Sequence, residues 1–77
     1  MTSGIKATTY QVQVNIFEAA GCRYLRTQGD HLIYHYPGAK RPVVIPKYKE
    51  VPVFVIRNNM KVIGLSVETY LSLLEKI

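Results

Sequence analysis

Hydrophobic residues recur along this 77-residue chain with two different periods. Tyr10, Val14 and Phe17 stand at i, i+4 and i+7, with Ala20 one turn on, as on one face of a helix. Thr8 or Thr9 would cap its start, and Gly21 would stop it. The alternation of Tyr10, Val12, Val14 and Ile16 also fits a strand, but FEAAG reads as a helix ending and favours the helix. From Cys22 the period becomes two. CRYLRTQ reads as a strand, Gly29-Asp30 as a two-residue turn and HLIYHY as the partner strand. PGAK is a turn signal, and RPVVIP a third strand placed at an edge by Pro42 and Pro46, which cannot donate to a ladder. Such an edge is open to pairing with another chain and leaves homo-oligomers possible in principle.

Beyond a basic loop, PKYKEVP, the period returns to that of a helix. Pro52 suits a first turn, and Val53, Ile56 and Met60 share a face, so a helix is expected from Pro52 to Met60 or Lys61. Gly64 breaks the chain. Ser66 caps a last helix, with Glu68 in the first turn where the helix dipole favours a carboxylate, and Val67, Tyr70, Leu71 and Leu74 form its apolar face. The order is helix, three strands, helix, short helix. It implies an α+β, two-layer fold in which helices cover one face of a small antiparallel sheet and leave the other free. The whole chain, 1–77, is expected to form one domain.

Composition narrows the function. With 48% hydrophobic and 19% charged residues the chain should fold, but so small a domain has a thin core. A site is therefore expected on a surface or in a shallow groove. The longest apolar runs, VPVFVI and VIGL, are far too short to span a bilayer, and MTSGIKATTY lacks the apolar segment of a signal peptide, so a cytoplasmic protein with no membrane role is expected. The single cysteine, Cys22, rules out an internal disulfide and a multi-cysteine zinc site, and is read as a reduced, half-buried thiol. The net charge is +5, concentrated in the middle: between Arg23 and Lys61 lie eight basic residues and only two acidic ones, Asp30 and Glu50. A central positive block favours a polyanionic partner.

His31 and His35 lie four apart on one strand, hence on one face, but about 13 Å apart at roughly 3.3 Å per residue. That is too far to share a metal ion, and no cofactor is implied. His31 has the better position, directly after the Gly29-Asp30 turn, where Asp30 could hold its imidazole and Arg23 and Arg26 could bind phosphate. A histidine beside fixed cations suits cleavage of a phosphodiester by the RNA's own 2′-hydroxyl, although a turn-edge histidine is also an ordinary surface residue. No nucleophile elbow, phosphate loop or dinucleotide fingerprint occurs. Tyr34 and Tyr36 have the parity opposite to His31 and belong under the helices, whereas Tyr48, between Lys47 and Lys49, is the better candidate to touch a base.

QGDHLIYHYPG, then VVIPKYKEVP, then IRNNMKVIGLSVETYLSLL together resemble the HicA family of bacterial toxins, also called YcfA-like mRNA interferases. The likeness runs from about Phe17 to Leu74 and is most specific at Arg26–His31 and Gly64–Leu74. It implies a fold similar to double-stranded-RNA-binding domains and membership of a type II toxin–antitoxin system. The implied activity is that of a ribosome-independent, metal-independent endoribonuclease acting on mRNA and silenced by a HicB-like antitoxin. The family's catalytic histidine falls on His31, its glycine on Gly29, its strand arginine on Arg26 and its helix arginine on Arg57. Asp30 stands where the family usually has serine, Asn59 stands at a position usually apolar, and the N-terminal segment is less helical and less basic than the family pattern.

Two functional classes follow. In the first, His31 is the general acid or base of an endoribonuclease and Arg26 with nearby lysines binds phosphate. In the second, a non-catalytic module resembling a double-stranded-RNA-binding domain grips the RNA backbone with Lys40, Arg41, Lys47, Lys49 and Arg57 and needs no histidine. A third reading, in which the chain exists only as the partner of a regulatory protein whose acidic surface covers the basic face, also belongs to the first, because an antitoxin would bind there.

Overall fold

A computed structural model describes residues 4–77 and arranges them as α1 (Tyr10–Ala19), β1 (Arg23–Gln28), β2 (His31–His35), β3 (Val43–Pro46), α2 (Val53–Ile63) and α3 (Val67–Glu75). The strands form one antiparallel sheet in the order β1-β2-β3. This is the expected α+β architecture, with the second and third strands shorter than expected: β2 stops at His35 and β3 starts only after Pro42.

Local chemistry sets several boundaries. The Thr9 hydroxyl accepts from the Val12 N–H at 3.3 Å and caps α1; the Ser66 hydroxyl does the same for α3 through Thr69, at 3.1 Å. Gly64, in the left-handed region at φ 69°, ends α2 and lets the Leu65 N–H reach the Met60 carbonyl at 2.9 Å.

Leu32 and Tyr34 of β2 pair with Ile45 and Val43 of β3, and this face of the sheet meets the core. Ile16, Phe17, Val43, Ile45, Ile56 and Tyr70 are fully enclosed. Tyr34 lies under the helices as its parity requires, and its hydroxyl donates to Glu18 of α1 at 2.8 Å.

Two helix faces differ from the apolar stripes. α1 buries Gln13, Ile16 and Phe17, while Tyr10 and Val14 are only partly covered. Gln13 enters the core because its Nε2 donates to the Tyr70 hydroxyl and to Thr8 Oγ1, each at 2.8 Å. α2 buries Ile56, Asn59 and Met60, so an asparagine stands in the packed face and Val53 at its margin. Cys22 is fully rather than half buried, and burial pushes its thiol pKa up to about 11.

The edge of β3, expected to be open, is closed. The Asn59 side chain accepts from the Val44 N–H at 3.3 Å and donates to the Val44 carbonyl at 2.8 Å, filling the place of a neighbouring strand. At the next outward position Pro46 has no N–H to offer, and its carbonyl accepts from the Tyr48 N–H at 2.8 Å. The exposed edge belongs instead to β1, where every residue is exposed and Leu25 forms a bulge.

Candidate nucleic-acid interface

The turn that presents His31 is built from Gly29 and Asp30. Gly29 has φ 60° and Asp30 does not have a positive φ, the pattern of a tight turn with glycine at its first central position. His31 follows at once, opposite Gln28 on β1 and Pro46 on β3, with its side chain exposed. Paired residues share a face, so His31, Ile33 and His35 lie on the side of the sheet away from the core, together with Val44 and Pro46. The Leu25 bulge adds a residue to β1 and thereby brings both Arg23, opposite His35, and Arg26, opposite Ile33, onto this same face. Arg26 is thus a diagonal neighbour of His31, within reach of a long side chain.

Beside this face α2 stands along the edge of β3. Between them lies an open groove of about 460 Å³. His31 and Arg41 line it, with Val44 as floor, Tyr48 from the loop after β3, and Phe54 and Asn58 from α2. Asn59 forms part of the same wall and, through Val44, fixes the distance between helix and sheet.

The loop that carries Tyr48 is held by backbone at four points. The Lys47 N–H donates to the Asp30 carbonyl at 2.7 Å, the Tyr48 N–H to Pro46, the Tyr10 N–H to the Tyr48 carbonyl at 3.2 Å, and the Val51 N–H to the Thr8 carbonyl at 2.6 Å. Asp30 therefore acts on this region through its carbonyl, tying the His31 turn to the basic loop. Among the described residues no hydrogen bond or ion pair joins its carboxylate to His31, so the imidazole is not held in that way.

The remaining sequence candidates spread outward. Lys40 lies in the turn after β2, and Lys47 and Lys49 in the loop after β3; all three are exposed and none lines the groove. Arg57 lines an adjoining depression with Lys61, which shares Phe54 and Asn58 with the first. The structure thus unites His31, Arg41 and Tyr48 in the groove, sets Arg26 diagonally beside His31, and puts Lys40, Lys47, Lys49 and Arg57 at the periphery. Phe54 and Asn58 were not singled out by sequence. The available signal was that Phe54 falls off the Val53–Ile56–Met60 stripe, an aromatic on the wrong face of an amphipathic helix.

A family model described as HicA toxin of bacterial toxin-antitoxin matches residues 13–65, from the second turn of α1 to the end of α2, and so takes in the His31 turn and both walls of the groove. The chain belongs to the HicA toxin family. No curated protein and no solved structure matches it. Membership makes this HicA protein one of the toxins of bacterial toxin–antitoxin systems, which implies an antitoxin as partner. Among its described residues no helix is long and apolar enough to cross a membrane.

Proposed function

We propose that this HicA toxin is an endoribonuclease that cleaves mRNA without a metal ion, with His31 as the general base. The observation that carries the reading is that an exposed histidine, fixed by a tight turn, shares an open groove between β3 and α2 with an arginine and an aromatic side chain. In the reaction the His31 imidazole takes the proton of the ribose 2′-hydroxyl. The 2′-oxygen bonds to phosphorus, the bond to the 5′-oxygen breaks, and that oxygen gains a proton from a water molecule, whose hydroxide takes the proton back from the His31 imidazolium. The products are a 2′,3′-cyclic phosphate and a 5′-hydroxyl. Arg41 in the groove and Arg26 on the strand stabilise the charge that grows on the non-bridging oxygens in this reading.

Gly29 serves by its backbone, allowing the turn that lifts His31 to the rim. Lys40, Lys47, Lys49 and Arg57 extend a positive border on which the flanking RNA phosphates can rest. A HicB-like antitoxin covering this basic face would silence the enzyme by excluding RNA. The test is expression in growing cells: wild-type protein arrests growth, and His31→Ala protein, made at the same level, does not. Equal arrest by both would remove His31 from the mechanism.

A further inference from the structure

The groove next to His31 holds more aromatic surface than phosphate chemistry requires. Phe54, in the first turn of α2, is 70% exposed, and Tyr48 across the loop is 46% exposed. Leaving large rings in water next to a groove forgoes the burial energy that normally draws them into a core. Neither ring is loosely attached. Tyr48 rides on the loop pinned by Lys47, Tyr10 and Val51, and Phe54 belongs to a helix clamped to β3 by Asn59. Four residues beyond Phe54, on the same side of α2, stands Asn58, whose exposed side chain also lines the groove. None of the residues lining the groove is acidic, and Arg41 lies at its border.

We infer that this groove is a nucleobase site: an unpaired base of single-stranded RNA, adjacent to the scissile phosphate, stacks on Tyr48 and Phe54 while Asn58 reads its edge. An open, mostly apolar groove lined by two aromatic side chains can receive the face of any base, and a carboxamide offers both a donor and an acceptor to its edge. Arg41 and His31 at the groove's border then meet the phosphate of the same nucleotide. A base held here must be unpaired, so the enzyme takes single-stranded RNA and not the continuous duplex that a double-stranded-RNA-binding fold would grip. The inference rests on the proposed RNA cleavage, whose substrate class it specifies.

The test uses full-length protein and two 2′-O-methyl oligoribonucleotides of equal length, which resist cleavage: one of mixed sequence and one abasic throughout. Fluorescence anisotropy gives the affinities. Wild-type protein should bind the base-containing oligomer more tightly than the abasic one. Phe54→Ala and Tyr48→Ala should each weaken binding of the base-containing oligomer by roughly 5- to 100-fold and leave the abasic one unchanged. Leu25→Ala, which removes an exposed apolar side chain on the far edge of the sheet, should change neither. If wild-type protein binds both oligomers equally, or the two aromatic variants bind like wild type, the base site is overturned while RNA cleavage by His31 stands. If wild-type protein binds neither oligomer, the RNA-cleavage reading falls too. If Phe54→Ala keeps its RNA affinity but escapes neutralisation by the antitoxin, the rings belong to a protein interface and the base site is again overturned.

Discussion

The carboxamide of Asn59 lies across the peptide of Val44, accepting from its N–H at 3.3 Å and donating to its carbonyl at 2.8 Å. A side chain on a helix thus completes the ladder of an edge strand. The same pair of bonds holds the two walls of the His31 groove at a fixed spacing. Asn59→Ala would strand two partly buried backbone groups, at a cost of about 1–3 kcal/mol. For a chain of this size each kcal/mol lowers Tm by roughly 4–8 °C, so thermal unfolding followed by circular dichroism should show a clear drop. An unchanged Tm would mean that Asn59 does not close the edge in solution.

Buried acidic hydrogens make the fold sensitive to alkali. Burial raises the Cys22 pKa from 9.0 to about 11, burial also raises that of Tyr70, and burial together with the Glu18 hydrogen bond raises that of Tyr34. Each group keeps its proton longer in the folded state than in the unfolded chain. The unfolded state therefore releases protons first as pH rises, and stability falls. The contribution of Cys22 is complete below pH 9 and is lost progressively towards pH 11, with the two tyrosines adding to the fall above about pH 10. Urea unfolding at pH 7, 9 and 10.5 should show the decline, and Cys22→Ala should make it shallower over the lower part of that range. A stability independent of pH across it would contradict the buried placement of these groups.

Arg41 was grouped by sequence with the peripheral cations, yet the structure sets it in the groove with His31. Arg41→Ala should therefore affect both binding and turnover. The slope of log affinity for single-stranded RNA against log salt should become shallower by roughly 0.7, the share of one phosphate contact. The cleavage rate at saturating RNA should fall as well. Lys40→Ala should reduce the salt slope similarly while leaving the rate at saturation near wild type. The same rate loss in both variants would argue that Arg41 has no role at the reacting phosphate.

What the sequence revealed of this molecule was what depends on neighbours in the chain. The Gly29-Asp30 turn, the Thr9 and Ser66 caps and the stop at Gly64 each follow from residues within a few positions of one another, and each is present. So is the parity that hides Tyr34 and exposes His31. The features that were not legible need partners far along the chain. Gln13 is polar by composition but buried because Tyr70, 57 residues away, accepts from it. Asn59 broke the apolar stripe of α2 and looked like a departure from the family pattern, whereas 15 residues earlier Val44 supplies the two groups that justify it. The Leu25 bulge, which turns Arg23 and Arg26 to one face, leaves no trace in the spacing of RYLRTQ. For the site, His31 and Tyr48 could be singled out from local signals; Phe54 left only its place off the apolar stripe of α2, and Asn58 left no signal, because the approach of α2 to β3 is a tertiary fact.

That His31 performs acid–base chemistry on RNA is tested by end-group analysis of RNA incubated with purified protein in EDTA. The wild-type protein should yield fragments ending in 2′,3′-cyclic phosphate and 5′-hydroxyl, and His31→Ala should yield none. The two proteins should bind RNA with similar affinity and unfold at similar temperature, since His31 is exposed. Cleavage by His31→Ala at the wild-type rate, or no EDTA-resistant cleavage by the wild-type protein, would contradict that role of His31.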